Sequence, residues 1–203
     1  MTVENDLLGR PAHAFLNAVA AREATPGGGS VAAAAGALAV ALARMVTAYS
    51  AAKVSGAEDT DPVRQDADRL AHADRMLRQL VNEDAAAYRA YTTARKSGEP
   101  AELARARAVA IAVPLEVAAV AGAALGIMDQ FKELSNRNLI SDLGVAAVLT
   151  EACVRAAAYN VRVNLRDAPQ ADPKGEVPHE LERLLERARQ ARDSVVGFVD
   201  RHL

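Results

Sequence analysis

Apolar residues recur at helical spacing along almost the whole chain, and strand-like alternation of apolar and polar residues is hard to find. In segments 70–88 and 181–199, for example, apolar side chains, alanines included, recur at helical spacing. Short polar breaks divide the pattern into segments of helix length. Because long helices joined by short breaks favour antiparallel packing, the sequence predicts an all-α fold. We expect a single-domain antiparallel bundle of about five to six long helices over residues 1–203, able to form a dimer.

The breaks predict where each helix begins and ends. Pro62 suits the first turn of a third helix, and Ser141 and Asp142 suit the start of a fifth. Pro114 lies inside the fourth helical pattern, so we expect it to kink that helix or split it in two. The second helix is apolar almost all round, which places it at the centre of the bundle. The predicted helices cover roughly residues 5–23, 30–51, 62–97, 100–134, 141–166 and 179–202.

The composition favours close helix packing and association between subunits. Hydrophobic residues make up 51% of the chain, but aromatic residues only 3%, and tryptophan is absent. Alanine supplies the largest share, and thin side chains let helix backbones approach closely. Such a core buries less apolar area per residue, and burial between subunits would offset that.

Charge, cysteine content and apolar run length exclude several classes of protein. The formal net charge of −2 gives no indication of nucleic-acid binding. The single cysteine, Cys153, rules out an internal disulfide framework and suits a reducing compartment. No basic segment followed by an apolar run opens the sequence, and the apolar run 31–43 is too short to cross a bilayer. We therefore expect a cytoplasmic protein without membrane association.

A glycine-rich turn is the strongest single motif in the sequence. It consists of Pro26, Gly27, Gly28, Gly29 and Ser30, directly before the second helix. Glycines let a ligand approach the backbone, and the first N–H groups of the helix lack intrahelical partners. Such a helix start can hold a carboxylate, a phosphate or a carbonyl oxygen. The alternative is a tight interhelical turn with no ligand, and the motif lacks the Gly-Lys-Ser/Thr ending of a phosphate-binding loop.

Further polar side chains stand within otherwise apolar helical segments. Asp84 and Tyr88 are four residues apart and share a face that is small and apolar. A carboxylate there would be partly desolvated, which raises its pKa and suits proton transfer near neutral pH. The alternative is a solvated surface acid.

Amide side chains form two further groups. Asn136 and Asn138, before Ser141 and Asp142, could cap a helix or bind an amide-bearing ring. Asn160 and Asn164 are four residues apart in an apolar helix, which implies a polar pocket or a subunit contact. Cys153 has no second thiol nearby and His13, His72, His179 and His202 are scattered, so we expect no metal site.

Taken in order, these motifs resemble the formiminotetrahydrofolate cyclodeaminase/methenyltetrahydrofolate cyclohydrolase family. The resemblance spans residues 12–168. Its matching pieces are the turn 25–31, Asp84 with Ala87-Tyr88, Pro114, Asn138 with segment 141–147, and Asn160-Val161 with Asn164-Leu165. Each piece alone is weak, whereas the ordered set is specific. The family is all-α and typically dimeric.

The resemblance implies the roles of particular residues. It puts the catalytic acid at Asp84, with Asp142 as a second catalytic candidate. Substrate binding is expected from the glycine turn, Lys53, Tyr88, Asn138, Ser141, Asn160 and Asn164. Two departures bear on the substrate: many relatives have Gly-Lys and a nearby Tyr where Ala52-Lys53 stands here, and Ser135 replaces a usual glycine.

The expected function is hydrolysis of 5,10-methenyltetrahydrofolate to 10-formyltetrahydrofolate by a metal-independent enzyme. The tetrahydrofolate derivative is the substrate, and no permanently bound cofactor is expected. Three alternatives stay open: 5-formiminotetrahydrofolate cyclodeaminase releasing ammonia, the same fold acting on a non-folate amidine or formyl compound, and a non-catalytic helical scaffold.

Overall fold

The part of the chain that the structure describes folds into six α-helices. A computed structural model describes residues 6–9, 11–51 and 62–203 of the chain. Within these residues there is no β-strand, which confirms the predicted all-α class. Short 3₁₀ turns stand at Lys132–Leu134, Arg137–Leu139 and Pro169–Ala171. The helices are α1 (Ala12–Ala20), α2 (Gly28–Ala51), α3 (Pro62–Ser97), α4 (Pro100–Phe131), α5 (Ile140–Asp167) and α6 (Glu176–Asp200).

The first helix is shorter than its predicted span of 5–23. Pro11 stands at its N-cap, where the ring fixes φ at −51° and supplies no N–H, so the chain before it follows a separate turn. At the other end Ala21 is extended, and the helix stops at Ala20. The prediction that one helix runs through Pro11 was wrong, because apolar spacing on both sides of a proline does not join the two segments.

Pro114 does not split the fourth helix. α4 continues from Pro100 to Phe131, with Pro114 buried inside it. The missing N–H and the ring are accommodated within one long helix. The predicted helix is therefore present as one element that ends three residues earlier than expected.

The prediction that α2 lies at the centre of the bundle was wrong. α4 and α5 each pack mainly against three other helices, whereas α2 packs mainly against two and leaves an apolar side exposed, so apolar character all round does not by itself mean burial all round. α2 packs against α3 on one side and α5 on the other, while α4 packs on α3 and α5 and α6 lies across α4 and α5. The close approach of α2 and α5 depends on Gly36, where a β-carbon would lie 2.6 Å from Sγ of Cys153. The core around this contact is dominated by Ala, Val and Leu, with Phe131 its largest fully buried side chain.

One long surface of the bundle is apolar and exposed. α2 and α5 run antiparallel, since Gly28 lies beside Asn160 and the Ser50 hydroxyl accepts a 2.9 Å hydrogen bond from the Asn136 N–H. Their outer sides present large side chains with 36–72% of their surface exposed. We call this surface the α2/α5 face; its members are Val31, Leu38, Met45 and Tyr49 on α2 and Val145, Val148, Leu149, Tyr159 and Val163 on α5.

Two segments are long and apolar enough to cross a bilayer by length and composition alone. They are Gly28–Ala51 and Pro100–Leu134, and about half of the most apolar window of each is buried within the protein. Core helices of water-soluble proteins meet the same criterion. The expectation of no membrane association therefore stays a prediction.

Candidate active site

A cleft of about 450 Å³ opens where the start of α2 meets α3 and the end of α5. One wall is the glycine turn, a second is a face of α3, and the third is the last two turns of α5. The lining residues are Ala24, Thr25, Gly27, Gly28, Gly29, Asp84, Ala87, Tyr88, Tyr91, Arg95, Ala110, Asn160, Val163, Asn164 and Asp167.

The glycine turn brings backbone close to the other two walls. The peptide bond before Pro26 is cis. The carbonyl of Gly27 accepts the first helical hydrogen bond, 3.0 Å from the Val31 N–H, so α2 begins inside the cleft. Gly28 faces Asn160 of α5 so closely that a β-carbon would lie 3.4 Å from Oδ1. Gly29 faces the carboxylate of Asp84 on α3.

Asp84 lies at the junction of α2 and α3, half-buried. The hydroxyl of Ser30, itself fully buried, donates a 2.8 Å hydrogen bond to Oδ2 of Asp84. Burial raises the pKa of the Asp84 carboxyl above its ordinary 3.8, while the hydroxyl and backbone N–H of Ser30 pull the pKa back down. Asp84 is therefore not the solvated surface acid of the alternative interpretation.

Amide groups line the α5 wall. Asn164 donates a 2.6 Å hydrogen bond from Nδ2 to the carbonyl of Ala110 on α4. This bond holds the last turns of α5 against the first half of α4. Asn160 donates from Nδ2 to the carbonyl of Ala156, one turn earlier. In the part of the chain that the structure describes, the Asn160 carbonyl oxygen accepts no hydrogen bond. It is thus available to a ligand.

Tyr88 follows Asp84 by one turn and is 47% exposed at the cleft. The predicted residues Gly27, Gly28, Gly29, Asp84, Tyr88, Asn160 and Asn164 therefore line one cavity. Pro26 and Ser30 are buried directly behind its glycine wall.

Asn138, Ser141 and Asp142 stand at the other end of α5. Asp142 precedes Asn160 by eighteen residues, which corresponds to ~27 Å along the helix axis. Neither Ser141 nor Asp142 caps α5, since Leu139 is its N-cap; the Asn136 side chain instead accepts a hydrogen bond from the Asn138 N–H. A single subunit does not bring these three residues to the cleft. Lys53 lies outside the described residues.

Tyr91, Arg95 and Asp167 line the cleft without having been predicted there. Asp84, Tyr88, Tyr91 and Arg95 follow one another at intervals of four, three and four residues, so one face of α3 carries all four. That spacing was readable from the sequence once Asp84 was chosen as the starting point.

The chemistry available in the cleft is proton transfer. Cys153 is buried away from it, and burial raises the pKa of its thiol to about 12, so this side chain is no nucleophile near neutral pH. Over the described ranges, no three His, Cys, Asp or Glu residues lie together as a metal site requires. A half-buried carboxylate, held by one hydroxyl above a glycine turn, can accept a proton and return it.

The fold and cleft define an all-α protein with a half-buried carboxylate in a cleft at a helix start. The chain belongs to the formiminotransferase-cyclodeaminase family, whose model matches residues 11–183. This confirms the resemblance found in the sequence.

Similar proteins of known name include enzymes and one solved structure. Formimidoyltransferase-cyclodeaminase of Rattus norvegicus is 32% identical over 97% of this chain, which spans only 38% of the rat protein. Methenyltetrahydrofolate cyclohydrolase of Methylorubrum extorquens is 31% identical, with 86% of this chain matched to 88% of that protein. The crystal structure of formiminotetrahydrofolate cyclodeaminase from Thermotoga maritima superimposes with a TM-score of 0.86 at 30% identity, covering 94% of this chain and 96% of that one. The names of these relatives agree with the predicted folate one-carbon enzyme.

Proposed function

We propose that the chain hydrolyses 5,10-methenyltetrahydrofolate to 10-formyltetrahydrofolate, with Asp84 as the proton carrier. The observation that carries the proposal is the half-buried Asp84 carboxylate, bonded to Ser30 over a glycine turn inside a cleft. The cyclohydrolase of Methylorubrum extorquens supports it, since this chain matches most of that protein's length.

The mechanism requires one proton shuttle. Water attacks the methenyl carbon between N5 and N10, and the Asp84 carboxylate takes a proton from that water. The carboxyl then returns this proton to N5 as the bond between N5 and the carbon breaks. The formyl group stays on N10, and the remaining hydroxyl proton leaves to solvent. The raised pKa of Asp84 favours both transfers, because a base and its conjugate acid work best when their pKa is near the working pH.

The second candidate activity is the cyclodeaminase reaction, favoured by the Thermotoga maritima relative. There N10 attacks the formimino carbon on N5, and Asp84 takes the N10 proton and passes it to the formimino nitrogen. That nitrogen takes a second proton from solvent and leaves as ammonia, and the methenyl bridge remains. The same carboxylate and cleft serve both reactions, which differ in nucleophile and leaving group: water and N5 in the hydrolysis, N10 and ammonia in the deamination.

A spectrophotometric assay with both substrates side by side tests the proposal. Methenyl absorbance falls if the protein hydrolyses 5,10-methenyltetrahydrofolate and rises if it deaminates 5-formiminotetrahydrofolate. We expect the fall. A rise alone would transfer the assignment to the deaminase, and no change with either substrate would refute both activities.

We also propose that the working form is a twofold dimer built on the α2/α5 face. The exposed large apolar side chains of this face stand together on two adjacent helices, whereas exposed apolar residues on a monomer surface are usually isolated. Its α5 part is centred near Ala152, a small exposed residue midway between Val145 and Tyr159.

Twofold pairing of α5 about Ala152 would complete the cleft. An antiparallel α5 of the partner would carry its Asp142 to the level of Arg162, next to Asn160. The residues that lie ~27 Å apart within one subunit would then meet across the interface. Light scattering should show a dimer for the wild-type protein and a monomer for the Leu38→Glu variant, which places a charge on the α2/α5 face. A wild-type protein that is monomeric, or that partitions onto lipid vesicles instead, would contradict the proposal.

A further inference from the structure

The outer end of the cleft carries two guanidinium groups without partners. Arg95 lines the main cleft, and Arg107 lines a small adjoining cavity of about 40 Å³ that shares Tyr91, Asn164 and Asp167 with it. Within the described residues, neither arginine makes an ion pair or side-chain hydrogen bond. Nε of Arg107 is buried with no hydrogen-bond partner.

An unpartnered buried donor on a charged group is unfavourable unless a ligand satisfies it. Guanidinium groups match carboxylates with paired hydrogen bonds. Asp167 lines the same cavity as Arg107 but makes no ion pair with it; its Oδ1 pairs instead with Arg166, 3.1 Å away at the surface. The outer end of the cleft therefore suits an anionic group of a ligand.

The distance from the reacting group to these arginines matches an extended ligand. Asp84 and Arg95 are eleven residues apart on one face of α3, a separation of ~16 Å along its axis. Tyr88 and Tyr91 lie between them and present aromatic surface to the cleft. In a folate, a benzoyl ring and an amide separate N10 from the glutamate carboxylates, roughly 10 Å by ordinary bond lengths. The long side chains of the two arginines can cover the difference between these two distances.

We propose that Arg95 and Arg107 form the subsite for the carboxylates of the folate's glutamate tail, with Tyr88 and Tyr91 against the benzoyl ring. This inference rests on the proposed function, because it takes the substrate to be a folate. Removing the arginines should weaken binding of substrate and transition state alike, so KM rises while kcat is kept.

The test compares two substrates in wild-type protein and in the Arg95→Ala/Arg107→Ala double variant. One substrate is 5,10-methenyltetrahydrofolate, and the other is the same compound with both glutamate carboxylates as methyl esters. In wild-type protein the ester should lose about 10- to 100-fold in kcat/KM, as expected for lost charged hydrogen bonds. In the double variant, kcat/KM for the free acid should fall by the same factor relative to wild type, and kcat/KM for the ester should stay at its wild-type value. Arg105→Ala, on the exposed side of α4, is the matched control and should behave as wild type.

Two outcomes would overturn the subsite: equal turnover of acid and ester by wild-type protein, or equal losses on both substrates in the double variant. If wild-type protein turns over neither, the proposed function fails and a binding experiment decides the subsite separately. Calorimetric titration with 4-aminobenzoyl-glutamate should detect binding that the double variant loses. Absent or unchanged binding of this fragment would refute the assignment.

Discussion

Gly29 faces the Asp84 carboxylate so closely that a β-carbon on the glycine would stand 2.0 Å from Oδ1. No side chain larger than hydrogen fits at residue 29 without displacing the carboxylate. The third glycine of the turn thus sets the position of the proposed proton carrier.

Gly29→Ala should abolish most turnover, because the methyl group would push Asp84 away from Ser30 and the cleft. Gly126→Ala on α4 is the control, since a β-carbon there meets nothing within 4 Å and the residue does not line the cleft. Steady-state rates of both variants, with circular dichroism to check folding, measure the difference. Equal activity of the two variants would disprove this role of Gly29.

Asp84→Asn should reduce kcat by about 10²- to 10⁴-fold, the usual contribution of a positioned acid–base group. The amide keeps the size of the side chain and can still accept the Ser30 hydrogen bond, so KM should change only a few-fold. Glu83→Gln removes the neighbouring carboxylate, which contacts Gln79 at the surface, and should leave the rate unchanged. Near-normal turnover by Asp84→Asn would remove Asp84 from the mechanism.

The pH dependence should follow the titration of Asp84. Its pKa is raised by burial, and only the ionised carboxylate can act as base, so kcat/KM should fall as pH drops through a value above 3.8. The Ser30 hydroxyl lowers this pKa, and Ser30→Ala should therefore move the acid limb to higher pH. A pH–rate profile of both proteins measures the shift; an acid limb that moves to lower pH would contradict the argument.

Subunit mixing should separate a shared site from a self-contained one. If Asp84 of one subunit works with Asp142 of the other, then Asp84→Asn and Asp142→Asn homodimers are both impaired. Half of a randomly mixed population would be heterodimers, each with one intact site, which restores about a quarter of wild-type activity. Co-refolded mixtures assayed against the separate variants measure this. No recovery despite proven heterodimers would exclude a site shared by Asp84 of one subunit and Asp142 of the other.

Gly36→Ala should destabilise the protein by about 1–3 kcal/mol, because the added methyl overpacks the α2–α5 contact against Cys153. Gly122→Ala in α4 meets nothing within 4 Å and should instead stabilise by up to about 1 kcal/mol. Denaturant unfolding at one protein concentration measures both. A stable Gly36→Ala variant would mean that the two helices can separate without cost.

Several site residues were predictable because they combine a local signal with a helical position. The glycine turn, Asp84 and Tyr88 were identified before their contacts were known, and the cleft brings them together with Asn160 and Asn164. Arg95 and Arg107 were not, because an arginine near the end of α3 or the start of α4 looks the same in the sequence whether it faces solvent or a cleft. Arg107 differs from a solvated arginine in the structure alone, where its Nε is buried without a hydrogen-bond partner.

Most of the helices could be predicted from the sequence, since hydrophobic spacing and breakers such as Pro62 and Gly98 act through local backbone preferences. The ordered motifs also determined the family. Tertiary structure alone decided that Ser30 and Asp84, 54 positions apart, share a hydrogen bond, and that Asp142 lies a helix length from the cleft. Periodicity records which face of a helix is apolar; which helix covers that face, and at what height along it, depends on how the side chains of two helices fit together.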